Sequence, residues 1–162
     1  MVSFIDVEAS GFGSGSYPIE VGVALADGRT ECTLIRPQTH WQHWDPSAQA
    51  LHQISRETLL LNGRSPLSVA MLLNEWLAGQ VVYSDAWGND SCWLAMLFDS
   101  AGITQRFRVD SIVSLLSDQQ VACWDEAKAR VVSRLRCQRH RASTDARVLQ
   151  MTFAELQLAK AV

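Results

Sequence analysis

The step Asp27-Gly28, set between two β-rich stretches, limits the fold of this chain more than any other feature. Asp-Gly supplies the positive φ that a tight hairpin turn needs, so residues 19–26 and 29–35 are expected to pair antiparallel. Ahead of them, residues 2–7 form a short alternating apolar run that reads as a buried strand, and residues 11–16 form a Gly/Ser loop. Three strands therefore open the chain. Residues 37–46 read as loop. Residues 47–51 and 55–61 read as short helices, each opened by a serine cap. Ser65-Pro66 starts a clearer helix, because Leu67, Ala70, Met71, Leu73, Asn74 and Leu77 keep mostly helical spacing up to a stop at Gly79. Residues 81–83 return as a short buried strand. Residues 93–100 read as a helix stopped by Gly102, 109–116 fit neither pattern, and 118–136 and 144–160 read as two closing helices. Strands early, helices late and one strand between helices predict an α/β layered domain with a mixed sheet. With 162 residues and no repeat or linker, the chain reads as one domain spanning 1–162.

At 48% hydrophobic residues the chain can bury a core without disulfide staples. Cys32, Cys92, Cys123 and Cys137 form no C-x-x-C pair and no zinc-finger spacing, as expected of reduced thiols in a cytoplasmic protein. The opening stretch MVSFIDVEAS has no basic run followed by a long apolar one, which predicts no secretory leader, and no apolar run is long enough for a bilayer. A net charge of −3 argues against coating nucleic acid by bulk electrostatics. It is compatible with an enzyme that meets phosphate through cations held by clustered carboxylates.

Three segments carry such carboxylates. Asp6 and Glu8 end the first strand, and side chains at i and i+2 of a strand share a face. Two like charges side by side are costly unless a cation lies between them, and hard divalent ions prefer such oxygen ligands. Taken alone, a D-x-E at a strand end is more often simply solvated. Asp90 follows the strand at 81–83 and precedes Trp93-Leu94, and by itself it reads as a helix-terminal acid. His140 and Asp145 lie five residues apart at the start of the last helix, with Thr144 as its expected cap. By themselves they read as a loop histidine and a helix-dipole acid.

In order and spacing these segments resemble the motifs of the DEDDh exonucleases, the RNase T-like and proofreading-subunit-like nucleases. Asp6-Val7-Glu8-Ala9-Ser10-Gly11 is similar to D-x-E-x-[TS]-G, Asp90-Ser91-Cys92-Trp93-Leu94 to D-x-x-[FW]-L, and His140 through Ala146 to H-x-A-x-x-D-A. His52-Gln53-Ile54-Ser55 resembles the H-x-I-[TS] segment between them. The resemblance implies an RNase H-like fold, release of nucleoside 5′-monophosphates from the 3′ end of single-stranded DNA or RNA, and a homodimer as one state of the family. It implies two divalent cations, Mg2+ or Mn2+, held by Asp6, Glu8, Asp90 and Asp145 about 3.5–4 Å apart for in-line displacement at phosphorus. His140 is implied as the base, a task that suits imidazole because it titrates near neutrality. Ala9, Ser10, Gly11, His52 and Arg141 are implied as substrate contacts.

The chain departs from the pattern in its second motif. The usual His-Asn ahead of Phe-Asp is replaced by Ser84-Asp85-Ala86, with Asn89 in place of Phe, so Asp85 competes with Asp90 as the second-motif acid. Lys128, Arg130, Arg134, Arg136, Arg139, Arg141 and Arg147 form a basic stretch that reads either as a guide for a phosphate backbone or as a solvated helix face. Trp41, Trp44 and Trp87 are candidates for stacking on bases, whereas Trp76 and Trp124 sit in helical patterns that point to the core. Other readings remain: a nucleic-acid-binding or adaptor module on the same fold, a hydrolase of very short oligonucleotides or small phosphodiesters, and an unrelated α/β protein whose acids never converge.

Overall fold

The structure, a computed structural model, describes residues 2–136 and 140–159. Its strands are β1 (Ser3–Ala9), β2 (Pro18–Ala24), β3 (Thr30–Leu34), β4 (Val81–Ser84) and β5 (Arg108–Ser111). Its helices are α1 (Pro46–His52), α2 (Arg56–Asn62), α3 (Pro66–Leu77), α4 (Trp87–Ala101), α5 (Asp118–Ala122), α6 (Trp124–Leu135) and α7 (Ala142–Ala159). The sheet order is β3-β2-β1-β4-β5. The first three strands are antiparallel, and β4 and β5 add in parallel, so the sheet is mixed. The expected hairpin closes at Asp27-Gly28, where the Gly28 amide donates to the Leu25 carbonyl at 3.0 Å.

Strand alternation divides the interior in two. Ile5, Val7 and Ala9 of β1 join Ile19, Val21 and Val23 of β2 in a core covered by α3 and α4, with Leu73, Leu77, Leu94 and Leu97. Phe4 faces the other way, into a smaller cluster with Trp124, Ala127, Ala146, Leu149 and Leu156 of α6 and α7. Asp6 and Glu8 share the side of Phe4 by the period of the strand. A helix can only approach that side closely where the sheet is flat, and Gly22 of β2 provides the place. A Cβ on Gly22 would stand 2.1 Å from the Ser143 amide nitrogen and 2.2 Å from the Ala142 carbonyl carbon. Gly22 pairs with Asp6 across the sheet, so this contact brings the start of α7 beside the acid strand.

Several boundaries differ from expectation, each for a local reason. The cap of α1 is Asp45, which accepts from the Ser47 amide at 2.8 Å; Ser47 lies inside the helix. Ser55 and Ser65 cap α2 and α3 as expected. α4 begins at Trp87 rather than 93. Its N-cap, Ala86, makes no side-chain cap bond, and Gly88 and Asn89 are weak helix formers, so no sequence signal marks the start. The ambiguous segment is β5 followed by a 3-10 turn (Ile112–Leu115). The expected helix over 118–136 breaks at Cys123. α5 has its own capping box from Ser117 and Gln120, and the break lets Trp124, Ala127 and Val131 of α6 turn inward. α7 starts at Ala142, so Thr144 is inside the helix and does not cap it. Cys137, Arg139 and Lys160 lie outside the described residues. No helix among the described residues is long and apolar enough to cross a membrane.

Candidate active site

A cleft of about 400 Å³ opens where the ends of β1 and β4 meet the starts of α4 and α7. Asp6, Glu8, Asp90 and Asp145 all line it, together with Asp85, His52 and His140. Three chain segments that lie up to 139 positions apart thus deliver their acids to one place.

Each acid is fixed by its element. Asp6 and Glu8 project from one side of β1. Asp90 sits in the first turn of α4, where its Oδ2 accepts the Ser84 hydroxyl at the end of β4. Asp145 sits in the first turn of α7, and its Oδ2 accepts the His140 amide at 2.9 Å. His140 itself adopts a left-handed backbone conformation, φ 61°, just before α7. Ligand atoms of Glu8, His140 and Asp145 lie within 4.8 Å of one another.

The electrostatics follow from this crowding. Burial pushes the Asp6 carboxyl well above the usual carboxylate range, and the charges of Asp90, Glu8, Asp145 and Asp85 push it further. Burial, aided by Asp145, Glu20 and Asp90 and opposed by Arg141, raises Glu8 to about 7. Burial raises Asp90 to about 7 against the hydrogen bonds from Ser84 and the Val7 amide. Oxygen-only side chains that resist ionisation together form a donor set that fits hard divalent cations, whose charge would reverse the penalty.

The expected substrate contacts divide. Ala9, Gly11 and His52 line the cleft. His52 is 2% exposed; its Nδ1 accepts the Ile54 amide at 3.0 Å, Trp44 packs edge-on against it, and its Nε2 has no hydrogen-bond partner. Burial lowers its pKa, so the neutral ring is favoured. Ser10 is buried behind the cleft, where its Oγ accepts the Tyr17 amide and meets His43 Nδ1 at 3.0 Å. Arg141 points its guanidinium at Glu20, at 2.6 Å.

Of the stacking candidates, Trp41 is core, stacked on Tyr17 at 5.2 Å. Trp44 bonds Gln49, and the exposed Trp87 donates to the Val109 carbonyl. Trp124 is buried as expected, and Trp76 packs partly buried against the core. The basic stretch is largely paired. Arg130 and Arg134 meet Glu155, Arg130 also meets Glu126, and Lys128 meets Asp85.

Two residues escaped the sequence reading. Phe12 is 71% exposed at the cleft, 6.0 Å from the Trp93 ring, and lines it together with the apolar Leu51 and Ala48. Its signal was an aromatic inside a Gly/Ser loop directly after the first acid pair. Glu20 is 1% exposed on β2, opposite Glu8, and accepts both the Arg141 guanidinium and the Ala142 amide at the start of α7. Its signal was an acid in an otherwise apolar strand.

No family model matches the chain, and no curated protein matches it. Solved structures do share its fold. The zinc-bound complex of Escherichia coli ExoI with single-stranded DNA is similar with a TM-score of 0.71 at 14% identity, covering 99% of this chain and 40% of that one. E. coli exonuclease I in complex with a 5cy-dA13 oligonucleotide gives 0.66 at 10% identity, covering 96% of this chain and 41% of that one. A moderately thermophilic exonuclease I from Methylocaldum szegediense gives 0.58 at 11% identity, covering 76% and 29%. The mixed sheet with helices on both sides is thus the exonuclease, RNase H-like, fold, and the chain spans about 40% of the length of the first of these structures.

Proposed function

We propose that this chain is a metal-dependent 3′→5′ exonuclease of the DEDDh type that releases nucleoside 5′-monophosphates from single-stranded DNA or RNA. The observation that carries this reading is the convergence of Asp6, Glu8, Asp90 and Asp145 with His140 in one cleft on an exonuclease fold. The structures similar to it include complexes of exonuclease I with single-stranded DNA, which supports the same class of substrate.

Asp6, Glu8, Asp90 and Asp145 would hold two divalent cations, Mg2+ or Mn2+. When bound, such ions neutralise charge on the phosphate and favour ionised water. His140 takes the proton from the attacking water. A P–O bond to water forms, and the bond from phosphorus to the 3′ oxygen of the preceding nucleotide breaks. The held amide of His140 fixes its position relative to Asp145. Phe12, Trp93 and Leu51 offer apolar surface for the terminal base, and His52, whose buried Nε2 has no partner, lines the same cleft.

The test is a 5′-labelled single strand of DNA, and its RNA counterpart, incubated with Mn2+, Mg2+ or EDTA. A ladder shortening from the 3′ end, absent in EDTA and in His140→Ala, is expected. Intact strands in Mn2+, with metal binding established separately, would leave a binding module or a much smaller phosphodiester substrate.

A further inference from the structure

Lys128 comes from α6, yet it lines the same cleft as Asp6, Glu8, Asp85 and Asp90. It is the only Lys or Arg among the described residues that does so. Its neighbours in the basic stretch are directed elsewhere, Arg130 and Arg134 to Glu155 and Arg141 to Glu20. The Lys128 ammonium is paired with the Asp85 carboxylate, at 24% side-chain exposure. An ammonium has three N–H donors, and a single carboxylate oxygen accepts one of them. Lys128 also lines a second, shallow groove along α6 with Asp125, Ala129, Val132 and Ser133. It therefore stands where the acid cleft opens onto the face of α6. Its partner, Asp85, occupies the stretch in which this chain departs from the second motif it resembles.

We propose that Lys128 binds a backbone phosphate of the nucleic-acid strand where the strand leaves the cleft over α6, and that Asp85 is the positioning residue that holds the ammonium at that rim. The inference rests on the exonuclease reading above and adds to it a contact upstream of the cleaved bond. Without Asp85, the ammonium would lose the carboxylate that the structure shows holding it at that rim. With Asp85, one donor is anchored and the others remain for a phosphate. A lysine suits this role because it meets phosphate as a point charge and tolerates any base sequence.

The experiment compares the full chain with Lys128→Met, Lys128→Gln, Lys128→Arg, Asp85→Asn and the double variant Asp85→Asn/Lys128→Met. Initial rates in Mn2+ are measured on a single-stranded oligonucleotide and on a dinucleotide, over a series of KCl concentrations. Binding of the same oligonucleotide in Ca2+ is read by fluorescence anisotropy. Lys128→Met is expected to weaken oligonucleotide binding and raise KM by about 10-fold, with the loss carried by KM rather than kcat. The slope of log(kcat/KM) against log[KCl] should fall by about 0.7, the value for one single-strand phosphate contact. The loss should shrink on the dinucleotide, which has no phosphate upstream of the cleaved one, and Lys128→Arg should restore most of it. Lys128→Gln carries the same expectation as Lys128→Met if the latter does not fold.

An unchanged KM and salt slope in Lys128→Met or Lys128→Gln would overturn the proposal while leaving the exonuclease reading intact. So would a double variant restored to wild-type behaviour, because Lys128 would then be only the counter-ion of Asp85. An equal loss on the dinucleotide would overturn the upstream placement. A wild-type chain that cleaves neither substrate would remove the exonuclease reading and this inference together.

Discussion

The two sides of β1 are made by one stretch of seven residues and have opposite energetics. On one side Ile5, Val7 and Ala9 disappear into the large core. On the other, beyond Phe4, Asp6 and Glu8 face a third and fourth carboxylate across a half-closed cleft. The first side gains free energy from every methyl it buries. The second gathers carboxyls whose raised pKa values record that ionising them in place is unfavourable. A strand that stabilises a fold with one face can thus carry a destabilising constellation on the other, and such a constellation is what a cation-dependent site requires.

The sharpest way to separate the two sides is to remove one side chain from each. His140→Ala should lower metal-dependent nuclease activity by about 10²–10⁴-fold, the range for a missing acid–base group, and Asp6→Ala, which removes a cation ligand, should lower it at least as far in an exonuclease assay. Ile5→Ala should instead lower stability by about 2–5 kcal/mol in urea unfolding, whatever remains of activity in the folded fraction. If Asp6→Ala were the less stable of the two and still active, the contrast would be wrong.

The contact that brings the sides into register should be nearly as sensitive. Gly22→Val forces a side chain into the backbone at Ala142 and Ser143, so α7 must shift away from β2. Activity should be lost and the melting temperature should drop by several degrees, a loss of about 1–3 kcal/mol. Glu20→Gln is the milder version. It keeps the shape but loosens Arg141 and the Ala142 amide, so activity should fall while circular dichroism stays that of the wild type.

The acid side also has a pH signature. Asp6, Glu8 and Asp90 hold their protons more tightly in the fold than in the unfolded chain. Between the ordinary carboxylate range and about 7, the values reached by Glu8 and Asp90, the folded state therefore binds more protons, and stability falls as pH rises through that window. A metal-free melting temperature should decline from pH 5 to pH 8, and saturating Mg2+ should flatten the decline. The smallest effect belongs to the exposed pairs: Arg134→Ala should change stability by no more than about 0.5 kcal/mol.

Much of this was legible in the chain itself. The Asp27-Gly28 turn, the alternation around Asp6 and Glu8 and the serine caps at 55 and 65 are local signals, and the corresponding elements formed as expected. The four acids that share the cleft could be named because their motifs are spaced along the sequence. What could not be read is what depends on distant partners. The break at Cys123 appears only once Trp124 has a cluster to enter, and the early start of α4 only once Trp87 has the Val109 carbonyl to bond. Trp41 looked available for stacking because nothing local placed Tyr17 against it. Arg141 looked like a free cation because Glu20 lies 121 positions away.

The most direct measurement is the thermal stability of the wild-type chain and of Asp6→Asn as Mn2+ is titrated at pH 7.5. A ligand that binds only the folded state at 100 times its Kd adds about 2.7 kcal/mol, which for a chain of this size is a rise of about 5–10 °C. The account predicts that rise in the wild type, and it predicts that metal-free Asp6→Asn starts more stable than the wild type and gains little. Equal gains in both proteins, or none in either, would contradict the assignment of the acid side of β1 as a divalent-cation site.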